Sequence, residues 1–152
     1  MNSILEQCLQ KVTAIIADIE VAGSPLFKTV GRGRPIPQAM ELMAKPSAHV
    51  IRLNERPASP DQIEEVLMKT LPLGVIIHGI ESNFASKDSE LVNLAAELEK
   101  ALEGNTLDGL SGAGLHWMGC DSPEANQTIP LGSTMPVFGL LYGHQRGQPD
   151  VQ

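Results

Sequence analysis

The first twenty residues constrain the fold most. Ile4, Leu5, Cys8, Leu9, Val12, Ile15, Ile16 and Ile19 recur at spacings of three and four, which places them on one stripe of a helix over residues 3–20. Gln7, Gln10, Lys11, Asp18 and Glu20 take the other faces. Ser3 followed by Glu6 forms a capping box, in which each side chain satisfies an orphan backbone donor. Gly23-Ser24-Pro25 ends the element. An amphipathic helix of this kind needs an apolar surface to lie on, so the rest of the chain must supply a sheet or a partner.

The remaining residues supply strands. Leu26–Val30 reads as a short strand, Gly31-Arg32-Gly33-Arg34-Pro35 as a mobile turn, and Ile36–Ala44 as a short helix. Ser47–Asn54 carries apolar residues on both alternating faces, the pattern of a central strand. Two prolines hold Arg56–Asp61 in a loop. Ile63–Glu81 is read as strand, because Val75-Ile76-Ile77 is rich in β-branched residues, with Pro72 as a bend or bulge on an exposed edge. Ser86–Leu102 is a second amphipathic helix, capped by Ser86 or Asp88 and closed by Gly104. Gly114–Cys120 and Pro136–His144 are the last strands, with a polar connection over 121–128.

This order predicts an α+β fold. Its sheet is largely antiparallel or mixed, with about four to five strands and two main amphipathic helices packed on one face. Residues 1–146 read as a single domain and 147–152 as a flexible C-terminal tail. A chain of 152 residues with 42% hydrophobic content is long and apolar enough to bury a core. Aromatics make up only 3%, so aliphatic side chains must fill it.

Charge narrows the function. A formal net charge of -7 opposes the Lys/Arg excess that phosphate binding by counterion release requires, which disfavours specific nucleic-acid binding. The basic residues are scattered apart from Arg32, Arg34, Arg52 and Arg56. No apolar run approaches the ~20 residues of a membrane span. The N-terminus lacks the basic flank and apolar core of a signal peptide, which points to synthesis in the cytoplasm. Cys8 and Cys120 therefore read as free structural thiols.

No pattern here carries catalysis or a cofactor. His49, His78, His116 and His144 fall in four different predicted strands, and none has a partner at metal-ligand spacing. Gly31–Arg34 lacks the GxxxxGK[ST] pattern; two arginines on such a turn suit an acidic protein surface. Around Ser111, Ala113 stands where a nucleophile elbow needs its second glycine. Glu64-Glu65 and Glu97/Glu99 read as solvated faces. Trp117, the one tryptophan, reads as sheet packing, or as an interface anchor.

The organisation as a whole resembles the tail-terminator (tail completion) proteins of tailed bacteriophages and prophages. The likeness spans residues 3–146 and rests on element order together with Pro46–Arg56, Leu73–Glu81, Asp88–Gly104 and Pro136–Arg146. It implies a non-enzymatic virion protein, made in the bacterial cytoplasm. Such a protein forms a hexameric ring on the finished tail tube, stops tube growth and offers a surface for head joining. The implied partners are further copies of the chain, the tail tube protein and the head connector, with no membrane. A closed ring needs two different patches per subunit. One is expected on the Arg56–Met68 arm (Arg56, Asp61, Glu64, Glu65, Met68) and the other near Trp117 or the Phe138–Tyr142 sheet. Other readings are a neighbouring neck or head–tail connector protein, an orphan metal-binding enzyme using the strand histidines, and an adaptor domain.

Overall fold

The computed structural model describes residues 2–58, 65–122 and 132–152. Helix α1 spans Ile4–Ala17, and Ser3 Oγ caps it by accepting the Glu6 N–H at 3.1 Å. The expected capping box is half made. The Glu6 carboxylate accepts instead from Arg32 at 2.6 Å and from Gln10 at 3.0 Å. Five α1 side chains (Ile4, Cys8, Leu9, Val12 and Ile16) are buried. Burial at about 1.5–3 kcal/mol per large aliphatic side chain outweighs the ~1 kcal/mol of a cap, so packing places this helix.

The chain then turns earlier than its helical pattern suggests. Glu20–Val21 (β1) and Ser24–Pro25 (β2) pair antiparallel around Ala22 and Gly23, whose φ angles are 53° and 77°. Both central residues are left-handed, as a two-residue type I′ hairpin requires.

Thr29–Arg32 (β3) and Ser47–Arg52 (β4) run parallel, with Thr29 opposite Ser47 and Arg32 opposite Val50. The crossover between them carries α2, Pro37–Leu42. This corrects the reading of residues 31–35 as a turn: Gly31 and Arg32 belong to a strand whose hydrogen-bonding partner is distant in sequence. The strand expected at 26–30 accordingly begins and ends later.

Arg56–Pro57 (β5) and Val66–His78 (β6) pair antiparallel. Pro72 lies inside β6 and not on an exposed edge, because β8 flanks it opposite Gly139. On its other side β4 stops at the Arg52–Leu73 pair, and β5 resumes with Arg56 opposite Thr70. Leu53 N–H donates to the Pro72 carbonyl at 3.0 Å, so the imide nitrogen of Pro72 faces the gap between these two partners. A missing donor costs little there.

Helix α3 spans Phe84–Leu102, and its N-cap is Asn83, not Ser86 or Asp88. Asn83 Oδ1 accepts from the backbone of Ala85 and Ser86 at 3.0 and 3.4 Å. Leu115–Asp121 (β7) and Ser133–Gln145 (β8) complete the fold. Most of the polar connection expected at 121–128 lies outside the described residues. Among the described residues the main sheet has six strands, more than the four to five expected, in the order β3-β4-β6-β8-β7, with β5 also on β6; β3–β4 is parallel and the other pairs are antiparallel. The architecture is α+β with a mixed sheet.

Alternation along the strands divides the apolar residues between two layers. Residues of α1 and α3 share one buried cluster with Val50, Leu71, Leu73, Val75, Ile77, Leu115, Phe138, Leu140 and Tyr142. A smaller cluster holds Ile51, Ile76, Met135 and Val137. Glycines let methionines lie flat on the strands beside it. A Cβ built on Gly74 would stand 2.5 Å from Met135 Sδ, and one on Gly143 would stand 2.5 Å from Met68 Sδ.

Residues 147–152, expected as a flexible tail, fold back onto the domain. Ile4 N–H donates to the Pro149 carbonyl at 2.7 Å, Gln145 N–H to the Val151 carbonyl at 2.7 Å, and the Gln152 side chain to the Leu110 carbonyl at 3.0 Å. The tail thus meets one of the open donors in the first turn of α1.

Candidate functional site

Two concave surfaces stand at opposite ends of the sheet. The first opens at the carboxyl ends of the parallel strands β3 and β4. It encloses about 720 Å³ and is lined by Arg32, Gly33, Arg34, Arg52 and Glu55 over a floor that includes Leu9, Val50 and Leu71. Gly33 adopts φ 81° and donates its N–H to the Val50 carbonyl at 2.9 Å, which turns the chain so that Arg32 and Arg34 flank the same opening.

The acidic groups of this cleft are already engaged. Glu6 is bound to Arg32, and that hydrogen bond holds its carboxyl below the usual range against slight desolvation. Glu55 pairs with Lys69 at 3.0 Å and accepts a hydrogen bond from Tyr142. Burial pushes the Glu55 carboxyl up, but the hydrogen bonds from Lys69 and Tyr142 outweigh it, so the net shift is downward. The Tyr142 hydroxyl is pushed up, by burial first and then by its bond to Glu55. Arg34 and Arg52 form no hydrogen bond or ion pair among the described residues. Three of the chain's five arginines thus line one cleft of an acidic protein.

The second surface is a groove of about 570 Å³ between α3 and β7, lined by Leu91, Val92, Ala95, Ala96, Trp117 and Cys120 among others. Trp117 is 48% exposed and Val92 in the groove is also exposed, while Met118, exposed too, lies over Gly139 on the other face of the sheet. Strand β7 is the edge of the sheet. Its outer rim is blunted near Trp117, because the Glu103 carboxylate accepts the Trp117 N–H at 2.6 Å and meets His116 Nδ1 at 3.1 Å. The Trp117 and His116 bonds depress the Glu103 carboxyl, and Glu103 in turn raises the His116 imidazole. A register shift between Trp117 and Gly119 follows, with Gly119 at φ 141°.

The four histidines serve separate places. His49 approaches Met43 Sδ at 3.1 Å, and His78 Nδ1 bonds Ser133 at 2.8 Å. His116 is held by Glu103 and the Ala113 carbonyl, and His144 Nδ1 meets the Gln145 carbonyl at 2.8 Å. Among the described residues no three His, Cys, Asp or Glu side chains come together as metal ligands would. Cys8 is buried, and burial pushes its thiol up to about 11. Cys120 is exposed, 3.0 Å from the Thr134 hydroxyl. No helix among the described residues is long and apolar enough to cross a membrane.

The expected interface residues separate on inspection. Arg56, Glu65 and Trp117 are exposed, and Met68 is half-buried over Gly143. Asp61 and Glu64 lie outside the described residues. Phe138 and Tyr142 are 1% and 2% exposed, so they are core and present nothing to a partner. The reason is register: alternate residues of β8 point to the helices, while Gly139 and Gly143 fall on the other face. Sequence reasoning singled out the arginines but did not join them into a cleft. The signal available was GRGR together with Arg52, which the β3–β4 pairing brings side by side. Nothing in the sequence pointed to Glu103. Compared with known proteins, the chain matches no family model and no curated sequence.

Proposed function

We propose that this chain is a ring-forming structural subunit of the phage tail-terminator kind, which ends tail-tube growth and offers the surface for head joining. One observation supports this reading above the others. The sheet order sets two chemically different apolar surfaces at opposite ends of the molecule. At the β7 end, Trp117, Met118 and Val92 are exposed. At the β3 end, Ile36 and Leu42, which flank and close α2, are exposed, Leu42 by 89%. A head-to-tail ring uses two unlike patches on each subunit, whereas a two-fold dimer uses one self-complementary patch. An acidic chain suits a ring that DNA traverses, because like charge keeps the duplex from adhering.

The test is solution mass by size exclusion with light scattering. Six chains of 16.3 kDa give a ring near 98 kDa. Trp117→Asp and Leu42→Asp are each expected to abolish the ring. Mixed together, the two variants should form a dimer and nothing larger, because each keeps one intact patch that fits the other. Failure of the mixture to associate, or a wild-type two-fold dimer, overturns the head-to-tail reading.

A further inference from the structure

We infer that the cleft at the carboxyl ends of β3 and β4 is an anion site that takes a phosphate group through Arg32, Arg34 and Arg52. The inference is independent of the ring reading. It begins with charge. The side chains in and beside the cleft are Arg32, Arg34, Arg52 and Lys69 against Glu6 and Glu55, so the locality is positive in a chain of net charge -7. Both carboxylates are bound to cations other than Arg34 and Arg52. Those two guanidiniums line the opening with no hydrogen bond or ion pair among the described residues.

No hydrogen bond or ion pair among the described residues occupies Arg34, and Arg52 acts on Glu6 and Glu55 only through space. An arginine kept for stability spends its fork on a carboxylate or carbonyl, as Arg32 does with Glu6. Arg34 and Arg52 line the opening with that same planar fork unbonded among the described residues.

Ligand chemistry follows from the number of donors. A single carboxylate offers two oxygens and is satisfied by one guanidinium. A terminal phosphate offers three acceptor oxygens and close to two charges, and a run of backbone phosphodiesters offers two free oxygens and one charge at each step, so either matches several guanidiniums along one opening better than a lone carboxylate does. The cleft has room for more than the anion. Its volume of about 720 Å³ falls within the range of small-molecule pockets, and Leu9, Val50 and Leu71 give it an apolar floor. Its position is also one that sheets with parallel strands favour, outside the carboxyl ends of the strands. The group that enters is the phosphate of either a small phosphate ester or a nucleic-acid backbone.

Calorimetry on the full chain at low salt tests this with two probes, inorganic pyrophosphate and a short single-stranded oligonucleotide. Binding of either at one site per chain is expected, and it should weaken by about tenfold or more in Arg34→Gln and again in Arg52→Gln, since each removes charge-assisted hydrogen bonds. Arg34 is exposed and makes no hydrogen bond or ion pair among the described residues, so its variant should melt as the wild type does. Pyrophosphate binding identifies a small ester as the ligand. Binding of the oligonucleotide alone, with steep salt dependence, identifies the backbone. Lys100→Gln, on the outer face of α3, should bind as the wild type does. The inference is overturned if the wild type binds neither probe, if Arg34→Gln and Arg52→Gln bind unchanged, or if Lys100→Gln loses as much.

Discussion

Gly74→Ala tests how the smaller apolar layer is packed. The added Cβ would lie 2.5 Å from Met135 Sδ, 3.1 Å from Met135 Cγ and 3.2 Å from Ile51 Cγ1. Met135 and Ile51 are both buried, so neither can swing into solvent to make room. Overpacking of this kind costs about 1–3 kcal/mol, partly offset by the roughly 0.5–1 kcal/mol gained when Ala replaces Gly in extended backbone. The net expectation is a loss of about 1–2 kcal/mol, a fall of roughly 2–8 °C in Tm for a chain of this size. Urea and thermal melts followed by circular dichroism measure it. Met135→Ala alone should cost about 2–5 kcal/mol by leaving a cavity. In the double variant the methyl added at position 74 takes up part of that void, so the combined loss should fall short of the sum by about 1–2 kcal/mol. Strict additivity, or a Gly74→Ala protein as stable as the wild type, would refute the packing argument.

Three other perturbations are informative. His78 is lowered from 6.5 to about 4, chiefly by burial and then by Lys87 and Lys45, while Glu90 opposes the shift. The unfolded chain therefore takes up a proton that the fold refuses. Stability should fall by about 1–2 kcal/mol, discounted for a half-exposed ring, as pH drops from about 6.5 to 4, and the urea midpoint of His78→Gln should lack that part of the slope. In Glu103→Ala, the raised His116 imidazole should return toward its ordinary range in an NMR titration, and the Trp117 amide should exchange faster; an unmoved His116 titration would count against the pairing. Ala22→Asn should raise stability by roughly 0.5–1 kcal/mol in urea melts, because Asn tolerates the left-handed backbone of a type I′ turn better than Ala.

Much of the local structure was legible in the residues. The stripe from Ile4 to Ile16 announced α1, and the β-branched run at Val75–Ile77 identified β6 even though Val66–Leu71 would pass as helix by propensity. Partners on both sides hold that stretch extended, and partners are what local patterns omit. For the same reason GRGR read as a turn while Gly31 and Arg32 pair with β4, and Pro72 read as an edge residue while it sits beside a gap in the next strand. Phe138 and Tyr142 looked like surface candidates because the run Met135–Gly143 holds no charged residue to reveal which side faces out. The arginine cleft was visible only as a loose grouping of Arg32, Arg34, Arg52 and Arg56 along the chain until the parallel pairing set three of them around one opening.

The long ladder between β6 and β8 also governs when this chain can fold. Its pairs run from Val66–Gln145 to His78–Ser133, and α3 and β7 lie between the two strands in sequence. Synthesis proceeds from the N-terminus, so β6 and both large helices are made before the strand that joins them exists. The loop entropy of that closure must be met before its contacts form, which places folding among the slower, non-local topologies. Until Ser133–Gln145 is made, β6 presents an unpaired apolar edge. Self-association at that stage competes with completion of the fold.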